Sequence, residues 1–517
     1  MQISDEQSEP SALKHLFCAT RFGSSAKIVD IEVSFIRALP NFIISGYAEN
    51  LIKESKERVQ AALSACEFKF PPLKITINLS PSDLPKFGSH FDLPIALLIA
   101  MHNQKTQKRD IFAFGELGLD GSLKHSDFLF ALILDVMRLK KDAFLILPFD
   151  SKKALSAIPN LNCYYARNLR EALAFLKNKA STQEMRFVNK SEPSFPNIQI
   201  NDEKYFYEDN FELDFSDIKG QVIAKRAALI ASAGFHNIIF EGSPGCGKSM
   251  IANRMSYILP PLSLDQMLES SRIKALSNED ITITPRRNFR APHQSASQAS
   301  VIGSVSKREP MPGEIALAHH GILFFDELPL FKKTILEALR EPLENNAISV
   351  SRAHLKVDYK TSFLFIGAQN PCPCGNLLSS TKECRCSERD ILIYRRRLSE
   401  PFLDRIDLFV QMREEGAQSG EIISSKEMRK MVFNAFKMQK ERKQDLPNGK
   451  LSVAQINEFC KLDESQSALL ENARSSYSLS LRAIDKVKKV ARTIADLEGS
   501  QNITKSHLLE ALSFRRL

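Results

Sequence analysis

The chain has 517 residues, 43% hydrophobic and 25% charged, which excludes a disordered or fibrous protein and calls for roughly two to four globular domains. Its 70 Lys and Arg against 61 Asp and Glu leave a formal charge of +9, a balance that favours a polyanionic partner without establishing one. The longest apolar runs, such as "FLFALILDVM", fall short of the roughly 18 residues a membrane span needs. The acidic, polar start lacks the apolar stretch of a secretory signal, so a cytoplasmic location is expected.

In chain order, residues 1–178 alternate β-rich runs ("KIVDIEVSFI", "KITINLS", "AFLILPF") with helical ones ("LIKESKERVQAALSACE", "LPIALLIAM"), predicting one α/β domain. Residues 179–212 lose apolar periodicity and gain Pro, Ser, Asn and charge, the composition of a linker. An α/β pattern resumes over 213–412, and 413–517 reads as helical to the end.

The second block opens with "NIIFEGSPGCGKSMIANRM", a β-run, then Gly242-Ser243-Pro244-Gly245-Cys246-Gly247-Lys248-Ser249, then an amphipathic helix. That order is the signature of a phosphate-binding loop. Its glycines let backbone amides turn inward around a polyphosphate, and the helix start adds a positive dipole end. Lys248 is placed to reach the β- and γ-phosphates and the Ser249 hydroxyl to ligate Mg²⁺. ATP and Mg²⁺ are the cofactors this predicts. Further along, "GILFFDELP" is an apolar strand ending in Asp326 and Glu327. Asp326 would hold the Mg²⁺ and Glu327 would polarise the attacking water.

The segments "DFSDIKGQVIAKRAALIASAGFHNIIFEGSPGCGKS", "PGEIALAHHGILFFDELP", "AQNPCPCG", "LSEPFLDRIDL" and "ARTIADLEG" together resemble the ComM/YifB group of magnesium-chelatase-like AAA+ ATPases, over nearly the whole chain. "PNFIISGYAENLIKESKERVQAALSACEFKFPPLKITINLSPSDLPKFGSHFDLPIAL" is similar to that group's N-terminal Lon-protease-like domain. The fold class implied is α/β: a Lon-protease-like domain over 1–178, an AAA+ P-loop core with a parallel sheet and a Cys-rich insert at 371–387, and a C-terminal helical lid. The resemblance also implies residue roles. Gly220 and Gln221 fall in the adenine-contacting segment, and Asn370 matches sensor 1. Arg405 matches the arginine finger, which acts on a neighbouring subunit, the alternative being a salt bridge to Asp404 or Asp407. Arg482 matches sensor 2, with Arg492 a rival, and Arg340 reads equally as an interface or a surface arginine. A homo-hexameric ring is the implied assembly.

Cys372, Cys374, Cys384 and Cys386 form C-x-C-x9-C-x-C directly after the sensor strand. Four thiolates suit tetrahedral Zn²⁺, although the pairs are tighter than the common C-x2-C; the alternative is four reduced thiols in a surface loop. Cys18, Cys66, Cys163 and Cys460 read as core, and Cys246 occupies a free position of the phosphate loop. In the Lon-like block His90 aligns with the protease nucleophile, Ser89 is one residue off, and Lys124 lies in the segment matching the dyad lysine, so the domain is expected to be proteolytically inactive.

"NAISVSRAHLKVDYKTSF" reads as a hairpin with Arg352 and Lys356 near its turn, basic positions suited to a nucleic-acid backbone. "TPRRNFRAPHQ" is a second basic segment, whereas His293, His319 and His320 lack metal spacing and are read as packing residues. The favoured function is an ATP-driven motor on single-stranded or branched DNA, a helicase or branch-migration factor in recombination or natural transformation. The alternatives are a magnesium-chelatase-type ATPase remodelling a protein partner, and a Lon-like protease.

Overall fold

A computed structural model describes residues 11–12, 14–46, 50–102, 104–106, 110–177, 187–188, 193–306, 309–352, 355–413 and 422–515. The chain divides into two units, Met1–Ser194 with Ser271–Ile283, and Phe195–Ser270 with Thr284–Leu517.

The first unit is built on an eight-stranded mixed sheet, in the order Phe187–Val188, Asn162–Ala166, Phe144–Pro148, Ile111–Ala113, His15–Phe22, Ser25–Ile36, Lys74–Ser80, Asn41–Ser45. Lys74–Ser80 alternates cleanly, burying Ile75, Ile77 and Leu79 on one face, as a two-residue side-chain period requires. The helix Asp92–Ala100 is buried throughout, which explains its unbroken apolar sequence. Asp135, on the helix Phe128–Leu139, accepts the Ala26 N–H at 2.8 Å and pairs with both Nε (2.8 Å) and Nη2 (2.9 Å) of Arg272. Arg272 lies within the stretch read as part of the ATPase core, yet Ser271–Ile283 belongs to this unit. The helix Leu264–Leu276 therefore starts in one unit and ends in the other.

The second unit holds a five-stranded sheet in which every pair is parallel, ordered Phe289–Arg290, Ile322–Phe325, Leu364–Gln369, Ile238–Gly242, Leu408–Met412. Sheets of this kind are covered on both faces, so their strands are continuous apolar runs; Ile322, Leu323, Phe325, Leu364, Phe365 and Ile366 are all fully buried. Residues 197–206, read as linker, form the hairpin Asn197–Ile200/Glu203–Phe206, which pairs with Leu262–Ser263. Its turn residue Asn201 has φ 54°, a left-handed conformation that Asn tolerates. Four-residue strands are too short to show periodicity.

The C-terminal helices begin at side-chain caps. Ser424, Ser452, Asp463, Ser480 and Thr504 each accept a backbone N–H from the first turn, satisfying an otherwise orphaned donor. The helix Leu481–Leu497 places Ile484, Val487, Val490, Ala491 and Ile494 in one core with Ile238, Phe240 and Ile251. The helical region and the parallel sheet thus share a single hydrophobic core.

Candidate nucleotide site and cysteine cluster

The loop strand Ile238–Gly242 lies between the strands Leu364–Gln369 and Leu408–Met412, so its carboxyl end opens at the crevice where α/β sheets bind ligands. Gly245 and Gly247 adopt φ of 85° and 96°, conformations that side chains resist, and the helix Lys248–Met255 follows. Lys248 Nζ donates to the carbonyls of Gly242 (2.7 Å) and Ser243 (2.9 Å) and to Asn370 Oδ1 (3.2 Å). Ser249 Oγ donates to Asp326 Oδ2 at 2.8 Å, and the Glu327 N–H to Asp326 Oδ1 at 2.9 Å. The residues expected to handle phosphate, metal and water therefore converge. Glu327 sits at φ 51°, ψ 44°, a costly conformation for a non-glycine residue that turns it away from the strand axis. Both Asp326 and Glu327 are exposed. The buried Ser243 Oγ has no hydrogen-bond partner among the described residues, an orphan at the mouth of the loop that a phosphate oxygen would satisfy. The residues fit Mg²⁺-ATP. Gly220 (φ 62°) and Gln221 (φ 56°) form the tight entry to the helix Val222–Gly234. Gln221 Nε2 donates to the Arg413 carbonyl at 2.6 Å, and the residue lines a cleft of ≈ 800 Å³ with Glu241, Gln369 and Tyr394.

The four cysteines meet. Sγ–Sγ distances are 3.4 Å (Cys372–Cys374) and 3.7 Å (Cys372–Cys384 and Cys374–Cys384), and all four sulfurs lie within 4.8 Å of one another. Zinc–sulfur bonds near 2.3 Å in a tetrahedron put the sulfurs about 3.8 Å apart, so the cluster has the size of a zinc site. Cys372 is fully buried. Backbone amides beside the cluster, those of Asn376 and Arg385 foremost, favour the thiolate of Cys374 and push its thiol down to about 6. Amide donors of this kind orient and stabilise thiolate ligands. Of the other cysteines, Cys18, Cys163 and Cys460 are buried, while Cys66 and Cys246 are half-buried.

The hairpin exists as Ala347–Arg352 paired with Leu355–Lys360. Lys356 is exposed; the turn residues Ala353 and His354 and the Arg352 side chain lie outside the described residues. The second basic segment is less available. Arg287 is buried, which pushes its guanidinium down to about 9, and it donates to the carbonyls of Pro260, Pro261 and His320. Arg286 pairs with Glu212 at 3.1 Å and Arg290 with Glu314 at 3.7 Å. His319 is buried and His320 half-buried, desolvation pushes both imidazoles down, His319 to about 4, and His293 bonds Ser295. In the first unit, Ser89 Oγ donates to the Glu116 carboxylate rather than to a lysine. The buried His90 bonds the Ala19 carbonyl at 2.8 Å, and Lys124 is an exposed residue paired across strands with Glu116.

Comparison with known proteins agrees with this geometry. Residues 214–419 match the family described as magnesium chelatase, subunit ChlI; 31–151 match subunit ChlI of Mg-chelatase; and 423–515 match its C-terminal region. Competence protein ComM of Haemophilus influenzae is 35% identical, with 98% of each chain covered. The uncharacterized protein YifB of Salmonella typhimurium is 36% identical over 96% of this chain and 95% of its own. The chain belongs to the ComM/YifB family. A magnesium-chelatase 38 kDa subunit from Rhodobacter capsulatus, at 26% identity, matches only 30% of this ComM/YifB chain.

Within this ComM/YifB chain the candidate arginines meet at one carboxylate. Arg405 pairs with Glu344, not with Asp404 or Asp407, and donates to the Pro401 carbonyl. Arg482, 67% exposed, lies 3.4 Å from the other Glu344 oxygen. Arg492 is buried, donating to the carbonyls of Gln501 (2.7 Å) and Ser500 (2.6 Å) and pairing with Asp496, so Arg482 is the arginine left at the surface. Arg340, opening the helix Arg340–Asn345, pairs at 2.7 Å with Glu337 of the preceding helix Lys333–Ala338. Sequence reasoning missed Glu344, which lies far from both arginines in the chain. It named Asp407 only as a possible partner of Arg405, not as the buried carboxylate it is. Burial pushes that carboxyl's pKa up, but Lys486, His236 and Lys489 outweigh it and hold it well below the usual range.

Proposed function

We propose that this protein is an ATP-hydrolysing, ring-forming motor that acts on single-stranded or branched DNA, a helicase or branch-migration factor. The convergence of Lys248, Ser249, Asp326, Glu327 and Asn370 in one site is the observation that supports hydrolysis. Bound ATP with Mg²⁺ would supply the phosphoryl group transferred to water. Lys248 offsets phosphate charge, Ser249 and Asp326 hold the metal, Asn370 steadies the lysine, and Glu327 accepts the proton of the attacking water. Arg405, freed from Glu344, serves the site of a neighbouring subunit in a homo-hexamer. The four cysteines hold one structural Zn²⁺.

The basic hairpin with its exposed Lys356, the charge of +9 and a full-length relative named for competence favour DNA as the substrate. The test is ATPase rate with and without single-stranded, forked and four-way-junction DNA, together with strand displacement. DNA stimulation that is lost in Arg352→Glu/Lys356→Glu supports the proposal. Hydrolysis indifferent to every DNA, and stimulated only by a protein partner, would favour the chelatase-type reading.

A further inference from the structure

The cysteine cluster touches the phosphate loop. Gly375, the turn residue of "CPCG", has φ 80°, and its N–H donates to the Cys372 carbonyl at 3.0 Å. A Cβ placed on it would lie 2.6 Å from Pro244 Cδ and 2.8 Å from Pro244 Cγ. Glycine is therefore required twice, for its backbone conformation and for its lack of a side chain against the loop. The same Cβ position is 3.8 Å from Asn370 Cγ, and Asn370 Oδ1 receives Lys248.

The far end of the insert returns to the same place. Ser387, next to Cys386, caps the helix Glu388–Arg395 with a capping box. The buried Tyr394 of that helix sits against the Asn370 backbone. Arg397 then donates to the Pro329 carbonyl at 3.5 Å, two residues past Glu327. Both flanks of the cluster thus end on the loop, the sensor or the acidic turn. A metal that draws the four sulfurs together fixes the positions of both flanks, because a closed cluster removes the freedom of the intervening loop.

From this we infer that metal occupancy of Cys372, Cys374, Cys384 and Cys386 sets the nucleotide affinity of the phosphate loop, with Gly375 against Pro244 as the transmitting contact. The inference rests on the zinc and ATP readings above. It makes the cluster a positioning device for the nucleotide rather than a remote staple. Because binding couplings are reciprocal, nucleotide must tighten zinc by the same factor that zinc tightens nucleotide.

The experiment measures zinc per chain and ADP affinity on the full-length protein. Zinc is stripped with a thiol-competing chelator, the chelator is removed and Mg²⁺ restored. Stripped protein should bind ADP at least about fivefold more weakly and recover on zinc addition, and ADP should slow zinc loss to the chelator. Gly375→Ala should retain zinc yet bind ADP more weakly. Pro244→Ala added to it should restore part of the affinity by making room for the new methyl group. Unchanged ADP affinity in both stripped protein and zinc-loaded Gly375→Ala overturns the inference. If Gly375→Ala does not fold, the stripping and reciprocity arms decide alone. Parental protein that purifies free of metal and takes up no zinc refutes the zinc reading instead, and parental protein that does not bind ADP refutes the ATP reading.

Discussion

Asp407 Oδ2 accepts the backbone N–H of Asn237 at 2.9 Å, joining the residue two past Arg405 to the residue that opens the phosphate-loop strand. The other oxygen pairs with Lys486 at 3.1 Å, both side chains being largely buried. Asn237 completes the tie through its side chain, donating to the Arg405 carbonyl at 3.1 Å. One carboxylate thus connects the Arg405 segment, the loop strand and the helix that carries Arg482. Asp407→Asn should cost about 3–5 kcal/mol in denaturant unfolding by stranding a buried ammonium. Adding Lys486→Met should recover most of that loss; a double variant as unstable as the single would show that the pair is not the source.

Glu327→Gln should bind ATP with near-parental affinity and hydrolyse it at least about 10²-fold more slowly. The backbone bond from Glu327 to Asp326 is unaffected by this change, so metal binding should persist. Parental turnover in the variant would remove Glu327 from the water-activating role.

Arg405→Ala should lower ATP hydrolysis by about 10³-fold while leaving nucleotide binding nearly intact. Mixed with Lys248→Ala, it should regain part of the activity, since some intact fingers then face intact loops. A co-assembled mixture as inactive as either parent would rule out action between subunits. Glu344→Gln offers a second reading of the same contact: with Arg405 released from its partner, hydrolysis at low protein concentration should rise.

Acid should weaken the first unit before its carboxylates titrate. His90 is buried, and burial pushes its imidazole down to about 4. The folded state therefore refuses a proton that the unfolded chain accepts below about pH 6.5. Stability from this residue is complete above pH 6.5, falls as the pH drops, and is about 3 kcal/mol lower by pH 4. Hydrogen exchange in strand His15–Phe22 should accelerate over that window, and His90→Gln should flatten the dependence. An unchanged pH profile in the variant would assign the acid sensitivity elsewhere.

The phosphate loop, the acidic pair and the hairpin were legible because each is local: a strand, a turn and a helix written in consecutive residues. The cysteine spacing was legible for the same reason, though the approach of Gly375 to Pro244 was not. Contacts made by single side chains across long separations leave no periodic trace, and this is where sequence reasoning stopped. Glu344 lies 61 residues from Arg405, and Arg272 lies 137 residues from Asp135. The basic segment around Arg287 shows the converse: its composition suggested a charged surface, but the guanidinium is spent on buried carbonyls.

The assignment of Ser271–Ile283 to the first unit means that the backbone passes between the units three times. One cleavage ahead of Phe195 would therefore leave Ser271–Ile283, a part of the first unit, on the carboxyl-terminal fragment, and non-covalent contacts such as Asp135 with Arg272 should keep the two fragments together as one particle under native conditions. A fragment beginning at Phe195 would carry Arg272 without Asp135, the carboxylate that it pairs with at 2.8 Å. Isolating the second unit thus requires replacing the excursion with a short bridge, not merely trimming the amino-terminal end.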